Sequence, residues 1–249
     1  MGLAYNLFNK FVVGVSKLTG EPLQYAQDGV YTVHNAEFLK DERFRNAYRL
    51  GLGEDHNLGP NPHIEWRVYV CCWALKNARM LEGDFVECGV NTGILSRAAV
   101  EYADFGQMKD RTLYLMDTFE GIPESQFVDA ERAMGLDKRY VYGDTFAAVQ
   151  QKFSKFPNVR LVKGRIPESL SEVKSTKIAY LSIDMNAAAP EVAALEYFWP
   201  KLVDGAVVVF DDYNWRLHVN QKRAIDQFVA RVGSEVLALP TGQGLIVKT

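Results

Sequence analysis

From residue 84 onward the chain alternates short apolar runs with longer stretches in which apolar residues recur every three or four positions. The short runs at 84–88, 112–117, 159–163, 178–184 and 206–210 have strand length, and the stretches near 93–103, 144–154, 190–200 and 219–231 have helical period. This alternation predicts an α/β domain built on a doubly wound, mostly parallel sheet with helices on both faces. The ending breaks the pattern. Runs at 235–239 and 245–248 are joined only by Pro240-Thr241-Gly242-Gln243-Gly244, too short a link for a parallel crossover. The seven-stranded sheet is therefore expected to finish in an antiparallel hairpin.

Upstream, Leu7, Phe8, Phe11, Val12, Val15 and Leu18 recur at helical spacing, which predicts an amphipathic helix over 3–18 packed on the body or on a second subunit of a homodimer. Residues 51–62 are dense in glycine, proline, asparagine and aspartate and read as a loop, and 64–80 as a buried helix. That loop divides a helical N-terminal extension, 1–62, from a main domain, 63–249. Residues 120–143 are the least regular part of the main domain, and a lid or a solvated surface helix fits them equally well.

With 249 residues, 48% hydrophobic and 24% charged, the chain suffices for one domain with a substantial core. A net charge of -3 gives no global positive field, so neither nucleic acid nor an anionic membrane surface is an expected partner, and a small molecule is. Cys71, Cys72 and Cys88 lack the spacing of a disulfide framework or a zinc site. No secretory signal or run of about 18 apolar residues is evident, and the expected compartment is the cytoplasm.

The candidate chemistry lies at the strand ends. Gly83-Asp84-Phe85-Val86-Glu87-Cys88-Gly89-Val90-Asn91-Thr92-Gly93 reads as strand, glycine turn and helix start, and Leu113-Tyr114-Leu115-Met116-Asp117 as a second strand closing on a carboxylate. Such a βαβ unit holds an adenosyl or nucleotide ribose, with Asp117 accepting from its hydroxyls and Gly89 and Gly93 letting the backbone approach the ligand. Only two glycines are present where a dinucleotide fingerprint needs three, and Glu87 would repel a phosphate while attracting an ammonium group. S-adenosylmethionine, which has an amino acid end and no phosphate, meets both conditions.

A second constellation follows. Ile178–Asp184 ends in one carboxylate and Ala206–Asp212 in two, and neighbouring parallel strands bring such ends within about 5 Å of each other. Asp184, Asp211 and Asp212 would repel strongly without a cation among them, and an all-oxygen set suits magnesium before calcium. A metal beside a sulfonium can acidify and hold a substrate hydroxyl, which is the chemistry of O-methyl transfer.

Together, the blocks Val86-Glu87-Cys88-Gly89-Val90, Asp117-Thr118-Phe119-Glu120-Gly121-Ile122-Pro123, Ile183-Asp184 and Phe210-Asp211-Asp212-Tyr213 resemble the macrocin O-methyltransferase family, magnesium-dependent sugar methyltransferases of antibiotic biosynthesis. The resemblance spans roughly residues 62–249 and implies the Rossmann-like fold of class I methyltransferases. It implies that Glu87, Cys88, Gly89, Val90, Asn91, Asp117, Thr118, Phe119, Glu120 and Gly121 contact S-adenosylmethionine, with Ser96 a further contact to its carboxylate. It also implies that Asp184, Asp211 and Asp212 ligate the metal, which makes Asp184 the catalytic centre. One departure stands out: the family commonly carries an aspartate two residues beyond the first metal ligand, and this chain has Asn186, which cannot take up a proton. Either the metal alone makes the hydroxyl acidic enough, or another group acts, with His63, Asp144 and His218 as candidates, or methyl transfer has been lost. Competing readings are a non-catalytic protein that binds S-adenosylmethionine and an NAD-dependent oxidoreductase.

Overall fold

The apolar runs become strands in the computed structural model, which describes residues 3–18, 20, 22–53, 58 and 62–249. Two three-residue strands, β1 (Tyr25–Gln27) and β2 (Val30–Thr32), form a separate N-terminal hairpin. The main sheet contains β3 (Asp84–Cys88), β4 (Leu113–Asp117), β5 (Val159–Lys163), β6 (Ile178–Ile183), β7 (Leu202–Phe210), β8 (Leu237–Ala238) and β9 (Gly244–Val247), in the spatial order β5-β4-β3-β6-β7-β9-β8. Strands β3 to β7 run parallel, and β9 pairs antiparallel with both β7 and β8. The sheet is thus the mostly parallel, hairpin-ended one that the alternation predicted.

Continuous apolar runs suit these strands because both faces of the sheet are covered. Along β4, Leu113 and Leu115 point into one core layer and Tyr114 and Met116 into the other, the two-residue period of an extended chain. One layer packs α2 (Glu42–Leu52), α3 (Glu65–Ala78) and α4 (Ile94–Tyr102) on the sheet; the other packs α8 (Ala188–Phe198) and α9 (Val219–Arg231).

The N-terminal region departs most from expectation. Helix α1 (Leu3–Leu18) forms as read, with Leu7, Phe11 and Leu18 of its apolar stripe exposed. After the hairpin comes α2, capped by Asp41, whose carboxylate accepts from the Arg43 N–H at 2.9 Å. Phe44 and Ala47 of α2 are fully buried in the same layer as α3 and α4, so this helix belongs to the main core. Gly51 and Leu52, expected in a loop, close α2; residues 54–57 and 59–61 of that loop lie outside the described residues.

The irregular segment 120–143 is not one solvated surface helix. It folds as α5 (Asp129–Ala133) and α6 (Leu136–Arg139), and Phe127 and Leu136 pack on Ala187 just before α8. Buried Glu131 ties it down, accepting from the Val128 and Ala188 N–H groups. Helix α7 (Phe146–Phe153) follows. Among the described residues no helix is long and apolar enough to cross a membrane.

Docking of α2 on α4 depends on Gly51, where an added Cβ would lie 2.6 Å from the Ile94 carbonyl oxygen and 2.9 Å from Ala98 Cβ. Gly51→Ala is expected to destabilise the protein by about 1–3 kcal/mol in urea unfolding, although alanine is the better helix former by about 1 kcal/mol. A neutral or stabilising result would show that the helices do not meet there.

Candidate functional site at the carboxyl edge of the sheet

The chain leaves β3 towards β4, whereas β6 and β7 continue the sheet on the other side of β3. A crevice opens outside the carboxyl ends of strands where the winding reverses in this way. Here it is a cleft of about 290 Å³. Gly89 and Asn91 line it after β3, Asp117, Thr118 and Gly121 at and after β4, Asp184 after β6, and Asp211 and Asp212 after β7. Both carboxylate constellations therefore face one space.

The glycine turn is held from below by Asp117. Its Oδ2 accepts from the N–H groups of Val90 (2.6 Å) and Asn91 (2.8 Å), and its Oδ1 from the Phe119 N–H (2.7 Å) and the Thr118 hydroxyl (3.2 Å). Three backbone donors hold the carboxylate, and the single Thr118 hydroxyl proton is shared with the nearer Gly121 carbonyl at 2.5 Å, so Asp117 shapes the turn in addition to bordering the cleft. Gly89 has φ 89°, and a Cβ there would lie 1.9 Å from the Asp184 carbonyl oxygen. The close approach that demands glycine is thus between two strand ends. Gly93 likewise serves packing: it starts α4 at φ 73°, where a Cβ would meet the Phe153 ring at 2.9 Å, and it is not part of the cleft lining.

Several residues named from the sequence lie behind the lining. Glu87, Cys88, Val90, Ser96 and Phe119 are buried, while Glu120 is exposed and pairs with Lys163. The Ser96 hydroxyl donates to Glu87 Oε2. Burial pushes Glu87 up to about 8, with Asp211 and Asp117 adding to the rise and Ser96 opposing it. At neutral pH a large share of Glu87 is protonated, so its repulsion of a phosphate is weaker than the sequence implied.

The three aspartates across the cleft differ in their partners. Each oxygen of Asp211 accepts one hydrogen bond: Arg67 Nη1 donates to Oδ2 at 2.7 Å and Gln243 Nε2 to Oδ1 at 2.9 Å. Asp184 accepts only the Asn186 amide, at 3.1 Å on Oδ1, and Asp212 has no hydrogen-bond donor among the described residues. Burial and then Asp211 and Asp212 raise Asp184 well above the carboxylate range; burial and then Asp211 push Asp212 up to about 7. Such shifts mark uncompensated negative charge. Hard oxygens with that charge fit a divalent ion at Asp184 and Asp212, whereas no group of three His, Cys, Asp or Glu side chains among the described residues is arranged to hold one.

Residues 70–235 match the family described as Macrocin-O-methyltransferase (TylF). The chain belongs to the macrocin O-methyltransferase family. It is similar to mycinamicin III 3''-O-methyltransferase of Micromonospora griseorubida (27% identity, covering 53% of this chain and 55% of that protein) and to demethyldecarbamoylnovobiocin O-methyltransferase of Streptomyces niveus (28%, 60% and 59%). It thus spans less than two thirds of the curated relatives it matches. Its fold is shared with the O-methyltransferase NovP (TM-score 0.66, 21% identity, 98% of this chain and 99% of that one) and with CalS11, calicheamicin methyltransferase (0.62, 20%, 86% and 94%).

Within this macrocin O-methyltransferase fold, Asn186 takes a left-handed φ of 57° and gives its amide N–H to Asp184, a backbone state that asparagine tolerates well. Of the three alternative bases, His63 is exposed and bonded to Glu65, and Asp144 is exposed, accepts from the Phe146 N–H and pairs with Lys163. His218 is buried in the cleft wall. Its Nδ1 meets Gln221 Oε1, Gln221 donates to Glu191 at 2.6 Å, and its Nε2 lies 2.8 Å from the Tyr140 hydroxyl. Gln221 therefore fixes the proton on Nδ1, and burial lowers the ring's pKa, with the Gln221 bond opposing the fall. Arg67, Gln243, Tyr140 and Gln221 escaped the sequence reading; only the strand-end aspartates, which need partners, hinted at them.

Folding should register Glu87. The unfolded chain releases this proton near 4.5 and the folded one near 8, so between these values the native state binds more protons and stability falls as pH rises. Glu87→Gln is expected to gain on wild type from pH 5 to pH 8, by on the order of 2–4 kcal/mol, in thermal melts across that range. A gap that does not change with pH would place Glu87 in a solvated setting.

Proposed function

We propose that this protein transfers the methyl group of S-adenosylmethionine to a hydroxyl of a sugar or other polyhydroxylated small molecule, assisted by a divalent ion, magnesium by preference. The observation that carries this reading is one cleft bordered by Gly89 and Asp117 on one side and by Asp184 and Asp212 on the other. Family membership and relatives named as O-methyltransferases of mycinamicin III and demethyldecarbamoylnovobiocin support it. A reducing cytoplasm suits its three buried, free thiols.

In this reading the turn of Gly89 to Asn91 and the segment from Asp117 to Gly121 frame the adenosyl group. A cation-bearing cofactor suits a space ringed by carboxylates, and its ammonium group would favour the ionised form of Glu87. Asp184, Asp211 and Asp212 would hold the ion through hard oxygens. When bound, the cofactor supplies an electrophilic methyl and the ion lowers the pKa of the acceptor hydroxyl. The hydroxyl proton passes to His218, directly or through Tyr140, since the Gln221–Glu191 chain keeps its Nε2 free of hydrogen. Leu58 of the N-terminal region and Ile122, Arg139, Tyr140 and Tyr142 of the irregular segment form the acceptor walls.

Titration calorimetry is expected to give one saturable site for S-adenosylmethionine; absence of binding with and without magnesium would overturn the proposal. Asp184→Ala should lower magnesium-dependent transfer of a radiolabelled methyl group by more than about a hundredfold and change cofactor affinity by less than about threefold. Equal loss of both would make Asp184 a structural residue. His218→Asn should lower kcat by about 10²–10⁴ with little change in KM for the acceptor. A KM effect alone would remove it from proton transfer.

A further inference from the structure

The link between β6 and α8 is short: only Asp184, Met185, Asn186 and Ala187 separate Ile183 from Ala188. Asp184, Met185 and Asn186 all line the cleft. The backbone of this link is held from two directions. From within α8, Glu191 Oε1 accepts from the Met185 N–H at 3.0 Å and the Asn186 N–H at 3.1 Å. From outside, Glu131 Oε1 accepts from the Ala188 N–H at 2.9 Å, while its Oε2 accepts from the Val128 N–H at 3.0 Å, at the start of α5. The N-cap of α8 is Ala187, whose side chain offers no acceptor. A carboxylate from a separate segment therefore satisfies one of the N–H groups that a helix start leaves without a partner.

Glu131 is 1% exposed. Around it Phe127 and Leu136, from the same segment, pack on the fully buried Ala187 in a cluster separate from the two layers on the sheet. A carboxylate this deep is costly unless its oxygens are hydrogen-bonded, and the two N–H groups that serve it belong to different elements. The segment that carries it, 120–143, also supplies Ile122, Gln126, Tyr140 and Tyr142 to the cleft lining.

We infer that Glu131 is a positioning residue, a bridge that makes segment 120–143 and the link bearing Asp184 open and close as one unit, and so fixes the spacing between the acceptor wall and the Asp184 carboxylate. What that spacing achieves rests on the proposed methyl transfer: the wall places a hydroxyl, Asp184 helps to hold the ion that acidifies it, and a misplacement of about 1 Å can cost about a hundredfold in rate. The bridge itself does not depend on that reading. Glutamate suits the position because an aspartate is one methylene shorter and a glutamine has a single acceptor oxygen. Its NH2 group cannot accept from an N–H, so one of the two bonds is lost.

Amide hydrogen exchange of the full-length protein, read by mass spectrometry, tests the bridge without any ligand. In Glu131→Gln, exchange is expected to speed up by at least about fivefold in the peptides covering 184–190 and 120–143 together, with the turn at 89–93 unchanged within about twofold. Gly51→Ala, which perturbs the α2–α4 contact instead, controls for general loss of stability and should not single out these two peptides. Acceleration in only one of the two, an even rise over the whole chain, or no change would each overturn the inference. If Glu131→Gln does not fold, wild type decides: exchange from the two stretches in rising urea should follow one common dependence, and two different dependences would overturn the bridge.

Manganese affinity, from the electron paramagnetic resonance signal of the free ion, reads the positioning role, because manganese accepts the same oxygen ligands as magnesium. Glu131→Gln should weaken it by about threefold to tenfold, less than loss of a partner bonded directly to a ligand, and change the affinity for S-adenosylmethionine by less than about twofold. Unchanged manganese affinity would refute the positioning of Asp184. Absence of manganese binding to wild type would refute the metal part of the proposed function, and the exchange result alone would then decide the bridge.

Discussion

The carboxyl edge of the parallel sheet gathers more negative charge than its burial allows, and the surrounding structure is largely a set of answers to that constraint. Asp117 is answered by backbone N–H groups, Asp211 by a guanidinium and an amide, and Glu87 by a retained proton. Glu191, buried in α8, accepts from the Met185 and Asn186 N–H groups and from Gln221, and burial with Asp212 nearby still pushes it up to about 8. Among the described residues Asp184 has the Asn186 amide at 3.1 Å and Asp212 has His218 Nε2 at 3.8 Å, weaker answers than the others receive. An uncompensated pair among compensated ones is the feature that distinguishes a working site from a hydrogen-bonded turn.

Backbone strain follows the same edge. Asn91, Phe119 and Asn186 all carry positive φ, at 50°, 58° and 57°, and each follows a strand end within a few residues. For Phe119 the cost is met by full burial against Phe146, 5.3 Å between ring centres. Left-handed residues persist where the surroundings fix them, and here they turn the chain sharply enough for side chains to border the cleft.

The centre of the sheet was legible in the sequence because strands such as β4 and β6 are buried on both faces and so appear as apolar runs. Its edge carboxylates were legible because charge at the end of such a run has no place in a core. The N-terminal hairpin was not legible: a three-residue strand holds barely more than one two-residue repeat, too little to show alternation. Helix α2 was obscured by Gly51, chosen for closeness to α4 at the expense of helix propensity. The partners of the aspartates could not be read at all, since Arg67 and Gln243 are 144 and 32 positions from Asp211 in the chain. Nothing local to an arginine announces which distant carboxylate it will meet.

The contact between Gly89 and the carbonyl of Asp184 has a mechanical meaning. Two strand ends that touch through bare backbone cannot slide or part without breaking the sheet, so the floor of the cleft behaves as a fixed gauge block between its two halves. Any adjustment to guests of different girth must then come from the surrounding rim, and divergence among related chains in what they accept has room to arise there while the base stays unchanged.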